Sequence, residues 1–127
     1  MTILYAEDDI DDFDFFCEVL NSVSPEHTCL NTRDGIETID FLENADALPD
    51  VIFLDINMPS MDGKACLRNI KNDSRFKSIP VVIYTTSSNA RDRDHCLQLG
   101  ALEYVQKPTS IAEAYERISR LVASPEK

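Results

Sequence analysis

The residue pattern predicts an α/β fold: five parallel strands in a doubly wound sheet, ordered 2-1-3-4-5, with five helices shared between its two faces. Three observations lead there. Short apolar runs alternate five times with longer segments of helical period. Two of the runs, Val51-Ile52-Phe53-Leu54 and Val81-Val82-Ile83-Tyr84, are apolar at every position, which suits strands covered on both faces by helix layers. The last segment carries Ile111, Ala114, Tyr115, Ile118, Leu121 and Val122, the i, i+3, i+4, i+7 stripe of a helix with one buried side.

Taken in order, residues 3–6 read as the first strand. The segment holding Phe13, Phe16 and Leu20 is the helix after it, with Asp11, Asp12 and Asp14 on a solvated face. Residues 28–30 form the second strand, and Asp34-Gly35 precedes the second helix. Residues 51–54 form the third strand, and Gly63 opens the third helix. Residues 81–84 form the fourth strand; Ser88 or Asn89 caps the fourth helix and Gly100 ends it in the left-handed conformation. Tyr104 and Val105 form the last strand, and Ser110 caps the last helix.

At 127 residues the chain makes one domain, which buries roughly two-thirds of the surface of its unfolded form. The 43% hydrophobic share supplies a core without staples. Twelve basic residues face 23 acidic ones, for a net charge of −11. Such a field repels phosphates, which argues against nucleic acid and anionic membranes as partners. No apolar run is long enough to cross a bilayer, and the N-terminus lacks a basic leader and cleavage site, so a cytoplasmic location is expected. Cys17, Cys29, Cys66 and Cys96 have no CxxC or zinc-type spacing and read as reduced, small hydrophobes. His27 and His95 stand away from the strand ends and read as surface residues.

Doubly wound sheets place their ligands outside the carboxyl ends of the strands. Those ends carry Glu7, Asp8 and Asp9, then Asp55, then Thr85 and Thr86, then Lys107. Asp55 lies on the central strand, with its neighbours at about 4.8 Å and the Lys107 strand at about 10 Å. Carboxylates this close need a proton or a cation. An all-oxygen set suits Mg²⁺, whereas the stretch from Asp8 lacks the glycine and terminal glutamate of a calcium loop. Asp55 can attack phosphorus as a nucleophile, with Mg²⁺, Lys107 and the Thr85 hydroxyl compensating the charge on the phosphoryl oxygens. No glycine-rich phosphate cradle is present, so the donor is not a tightly held nucleotide.

Glu7-Asp8-Asp9, the segment Asp55-Ile56-Asn57-Met58-Pro59-Ser60-Met61-Asp62-Gly63, Pro80 with the strand to Thr85, and Tyr104-Val105-Gln106-Lys107-Pro108 together resemble the receiver domains of two-component response regulators, of the flavodoxin-like CheY type. The resemblance implies a single receiver domain over residues 1–127 with no output domain. It implies that Asp55 takes a phosphoryl group from a phosphohistidine on a sensor histidine kinase or a histidine phosphotransfer protein. It further implies that Asp8 and Asp55 bind Mg²⁺ directly, Asn57 through its carbonyl and Glu7 through water. Thr85 would move toward the phosphate and Tyr104 turn inward behind it, reshaping the face of helix 4, strand 5 and helix 5 for a downstream protein. The Lys107-Pro108 bond is expected to be cis. The Asn-Met-Pro-Ser-Met-Asp-Gly loop and Thr85-Thr86-Ser87-Ser88 are similar to stand-alone receivers of the phytochrome-associated kind, which leaves a homodimer through that same face open.

Glu7 replaces the more frequent Asp, which lengthens the arm toward the metal. Thr86 stands where Ala or Gly is common, and its bulk is expected to narrow access to Asp55. Asn57 and Ser87 border the path of a hydrolytic water. The plainer reading of Glu7, Asp8 and Asp9 is a match to the positive end of helix 1, and that of Tyr104 is a half-buried strand aromatic. Expected is a signalling module with self-catalysed phosphorylation and dephosphorylation rather than a turnover enzyme. The alternatives are an Mg²⁺-dependent phosphotransferase or phosphatase with an aspartate nucleophile, for which Asn57 is a poor acid or base, and a pseudo-receiver that binds partners without phosphorylation.

Overall fold

Residues of the first strand alternate between two destinations, and that alternation builds the molecule. In the computed structural model, which describes residues 1–23 and 25–123, Leu4 and Ala6 enter one core while Ile3 and Tyr5 enter the other. The element order is β1 (Thr2–Ala6), α1 (Ile10–Val23), β2 (Thr28–Thr32), α2 (Gly35–Asn44), β3 (Val51–Leu54), α3 (Gly63–Asn72), β4 (Val81–Thr85), α4 (Ala90–Leu99), β5 (Glu103–Gln106) and α5 (Ile111–Ala123). The strands pair in parallel in the order β2-β1-β3-β4-β5, as the sequence pattern predicts.

The sheet separates two cores. On one face Ile52, Leu54, Val81 and Ile83 meet Leu42 of α2, Leu67 and Ile70 of α3 and Cys96 of α4. On the other, Val51, Phe53, Val82 and Tyr84 meet Phe16, Val19 and Leu20 of α1 and Ala114, Ile118 and Leu121 of α5. The second core is aromatic at its centre: Phe16 lies 4.8 Å from Tyr5 in a tilted pair and 5.0 Å from Phe53 edge to face, centroid to centroid. Such pairs add about 0.5 to 1.5 kcal/mol each beyond their buried area.

Two expectations are corrected here. β2 runs on to Thr32 because its polar end finds partners: Asn31 Nδ2 donates to the carbonyls of Tyr5 and Glu7 at 3.0 and 3.1 Å, and the Thr32 and Thr38 hydroxyls bond at 2.6 Å. The buried face of α5 is narrower than its apolar stripe. Ala114, Ile118, Leu121 and Val122 fill the core, whereas Ile111 is 64% and Tyr115 39% exposed, with the Tyr115 hydroxyl donating to Ser22 Oγ on α1. All four cysteines are free; Cys66 and Cys96 are buried, and Cys17 and Cys29 are half-buried.

Parallel winding brings every helix N-terminus to the edge where the strands end. Asp9, Asp34, Asp62, Asn89 and Ser110 accept from N–H groups of the opening turns there. Gly100 closes α4 at φ 111°, the left-handed cap that the sequence predicts. Between β3 and α3 the backbone folds tightly: Met61 N–H bonds Pro59 O at 2.7 Å around Ser60, whose φ is 65°, a strained three-residue turn. Gly63 follows it because a Cβ there would stand 2.2 Å from the Asp55 carbonyl oxygen. Gly63→Ala is therefore expected to push α3 off the end of β3 and destabilise the chain by about 1 to 3 kcal/mol, read from urea unfolding.

Candidate functional site

Glu7 and Asp55 are buried although they are acidic, 2% and 6% exposed, and each is set in place by the sheet. The Glu7 N–H donates to Thr32 O at 2.8 Å, and the Asp55 N–H donates to Ala6 O at 3.2 Å, so the ladder extends one residue past the strands and presents both carboxylates at its edge. Glu7 accepts from the Tyr5 hydroxyl at 3.2 Å and from Asp9 N–H at 3.1 Å. Asp55 Oδ1 accepts from Asn57 N–H at 3.1 Å.

Lys107 crosses two strands to reach them. Its ammonium donates to Glu7, to Asp12 Oδ2 at 2.9 Å and to Asp55 Oδ2 at 3.1 Å. Burial alone would lower the lysine's pKa, but its bonds to Glu7 and Asp12 and the charge of Asp55 outweigh burial and hold it above the usual ammonium value. Burial, with Asp55 alongside, pushes Glu7 up to about 7 against the opposing pull of Lys107. This is a carboxylate pair short of positive charge.

Thr85, fully buried, has its hydroxyl turned to its own loop, where it accepts from Ser87 N–H at 3.3 Å. Ser87 is the knot of that loop. Its Oγ donates to Asp92 Oδ2 at 3.1 Å, its carbonyl accepts from the Tyr104 hydroxyl at 3.0 Å, and Asp92 is paired with Lys64 of α3. The Ser87 hydroxyl, expected beside the path of water, is thus engaged by α4. Thr86 is exposed.

The strand ends therefore hold Glu7, Asp55, Thr85 and Lys107 as the sequence predicts. Asp8 is exposed at the rim, and among the described residues no three His, Cys, Asp or Glu side chains gather as metal ligands; the gathered pair is Glu7 and Asp55. Asp9 takes the plainer role, capping α1 through Asp11 N–H at 3.0 Å. Asp12 was missed: assigned to the solvated face, it is bonded to Lys107. Its signal was position, since the first turn of α1 opens at the edge where the strands end.

The chain was compared with known proteins. The model of the response regulator receiver domain matches residues 3–119. This chain belongs to that family. As a receiver domain it is a two-component phosphoryl acceptor. It is 31% identical over 121 residues to the response regulator Rcp1 of Synechocystis, covering 91% of this chain and 82% of Rcp1. It is 35% identical over 83 residues to the sensor histidine kinase CheAY of Helicobacter pylori, of which it spans 10%. The structure of the phosphorylated cyanobacterial phytochrome response regulator RcpA superposes with TM-score 0.90 at 30% identity, covering 97% of this chain and 91% of that one. Receiver domains interact with sensor histidine kinases and bind a divalent metal. No helix among the described residues is long and apolar enough to cross a membrane.

The Lys107-Pro108 peptide corrects one expectation, since no peptide bond among the described residues is cis. Trans is the cheaper isomer of such an amide by about 0.5 to 1 kcal/mol. It leaves the Lys107 N–H on Thr85 O at 2.6 Å and the ammonium among its carboxylates, so both demands on the residue are met without cis.

Removing the charge of Lys107 leaves Glu7, Asp12 and Asp55 without compensation. Lys107→Met is expected to cost the metal-free protein about 3 kcal/mol or more, with added Mg²⁺ raising the melting temperature of the variant further than that of the wild type. Asp92→Ala unties Ser87. Its stability loss is expected to be about 1 kcal/mol, the upper end for a solvent-accessible ion pair since this one is half-buried, while hydrogen exchange of residues 86–92 accelerates.

Proposed function

We propose that Asp55 is the phosphoryl acceptor of this receiver domain and that the donor is a phosphohistidine on a sensor histidine kinase or a histidine phosphotransfer protein. The observation that carries this reading is the setting of Asp55. It is a buried carboxylate at the end of the central strand, fixed on one oxygen by Asn57 N–H and on the other by an ammonium 3.1 Å away. A carboxylate oxygen attacks phosphorus, the phosphorus–nitrogen bond of the donor breaks, and Lys107 balances the charge that spreads over the phosphoryl oxygens.

Glu7, Asp8 and Asp55 supply hard oxygen donors of the kind Mg²⁺ takes, and a single ammonium stands among the three carboxylates of Glu7, Asp12 and Asp55. These side chains, with the Asn57 carbonyl, would hold Mg²⁺, which supplies charge compensation to the transferring group. The manganese-bound structure of Rcp1, at TM-score 0.86 and 30% identity, supports a divalent site of this kind. Phosphorylation and its slow reversal by water use the chain's own residues, without turnover of a substrate.

The change is passed on through Thr85 and Tyr104. Thr85 must give up its bond from Ser87 N–H to turn toward Asp55, and Tyr104 is held to the same residue. Release of Ser87 then alters the α4–β5–α5 face, where Leu97 and Leu102 are exposed. That face is offered to a downstream protein or to a second copy of the chain. On the donor side a cleft of about 50 Å³ opens beside Lys107, lined by Asp12, Phe15 and Pro108. The net charge of −11 favours proteins over nucleic acid or membrane as partners, and a cytoplasmic location agrees with them.

The test is the intact mass of the chain after incubation with Mg²⁺ and a small acyl phosphate. Wild type is expected to gain one phosphoryl group and Asp55→Asn none. An equal gain in both, or none in the presence of a phosphorylated histidine kinase as well, rules the acceptor assignment out.

A further inference from the structure

Lys107 has three N–H bonds to give, and all three end on carboxylates, those of Glu7, Asp12 and Asp55. The proposed reaction calls on two of these. Asp55 becomes an acyl phosphate, its carboxylate charge replaced by that of the phosphoryl oxygens, and Glu7 lies among the donors offered to the cation. Asp12 belongs to neither group. It stands in the first turn of α1, where the Asp9 carboxylate caps the neighbouring N–H of Asp11 at 3.0 Å and its own at 3.4 Å, so its backbone is anchored independently of the site. Among the described residues its carboxylate bonds to Lys107 and to no other side chain.

We propose that Asp12 is a positioning residue for phosphoryl transfer, holding the Lys107 ammonium toward Asp55 while Glu7 and Asp55 exchange that ammonium for other partners. The inference rests on Asp55 being the acceptor. A lysine on a flexible four-carbon stem loses its aim when its ion partners are withdrawn, and misplacement of a charge-balancing group slows transfer. The other acids in and beside α1 offer no substitute: Asp9, before the helix, is spent on the cap, and Asp11, Asp14 and Glu18 are exposed and absent from the lysine's partners. At 45% exposure the Asp12 carboxylate keeps much of its hydration, so it aims Lys107 without sequestering it from a phosphoryl group.

Phosphorylation by a small acyl phosphate, followed by intact mass, gives two quantities across a Mg²⁺ series: the rate at saturation and the Mg²⁺ concentration for half of it. Both are measured for the wild-type chain and for Asp12→Asn, Asp12→Ala and Asp12→Glu, with Asp55→Asn as the blank. Asp12→Asn and Asp12→Ala are expected to lower the saturating rate about tenfold, the scale of a misaimed group, with the Mg²⁺ requirement held within about twofold. Asp12→Glu, which keeps the charge, recovers most of the rate. A saturating rate equal to wild type in both neutral variants overturns the role, and so does a loss confined to the Mg²⁺ requirement, which would make Asp12 part of the cation's field instead. Absence of any mass gain in wild type, with a phosphorylated histidine kinase as well as with the acyl phosphate, removes the acceptor assignment itself.

Discussion

Parallel strands covered by helices on both faces must all end at one edge, and the chemistry of this receiver domain follows from that constraint. Each right-handed crossover returns the chain to the same starting edge, so the carboxyl ends of β1, β3, β4 and β5 and the N-termini of the helices are delivered together. The two cores that enforce the arrangement lie beneath the site and touch it through the Tyr5 hydroxyl, which donates to Glu7. Their packing nevertheless decides that Glu7, Asp55, Thr85 and Lys107, far apart in the chain, become neighbours. Acid at that edge is doubly placed, since the N–H groups of the opening helical turns favour negative charge there.

Concentrating acid has a cost that the fold answers with one ammonium. Lys107 is 11% exposed and holds three carboxylates on three different elements or their ends: Glu7 after β1, Asp12 in α1 and Asp55 after β3. A buried group of this kind is weak evidence for stability and better evidence for a state that can be exchanged. Any incoming positive charge or phosphoryl oxygen competes with those contacts directly.

Much of this was legible in the sequence, for physical reasons. Unbroken apolar runs require two covering layers, so β3 and β4 were plain, and the residue after each such run had to lie at the edge, which located Asp55 and Thr85. The Ser110 cap, the choice of Ser88 or Asn89 before α4 and the left-handed Gly100 were readable because their chemistry is local. What failed was non-local. Asp12 looked solvated because helical period reports the sheet below and not a lysine arm arriving from β5. β2 looked shorter because its polar end is satisfied by Asn31 and Thr38, partners that no strand pattern reveals. The isomer before Pro108 is a property of the folded chain, and a sequence pattern carries no direct sign of it.

The sheet that separates the two cores also divides the output face between them, with α4 on one side and α5, beside α1, on the other. Phe16, Phe53 and Tyr84 pack with α1 and α5 on one side, while Leu67, Ile70 and Cys96 pack with α3 and α4 on the other. Substitutions in packing units that share no side chain act additively on stability. A lineage could therefore remodel α1 to suit a new donor without disturbing the packing beneath α3 and α4, where the Lys64–Asp92 pair anchors the Ser87 loop. The wall of five strands frees the α4 part of the output face to drift apart from recognition of the input, while α5, packed with α1, ties the rest of that face to it.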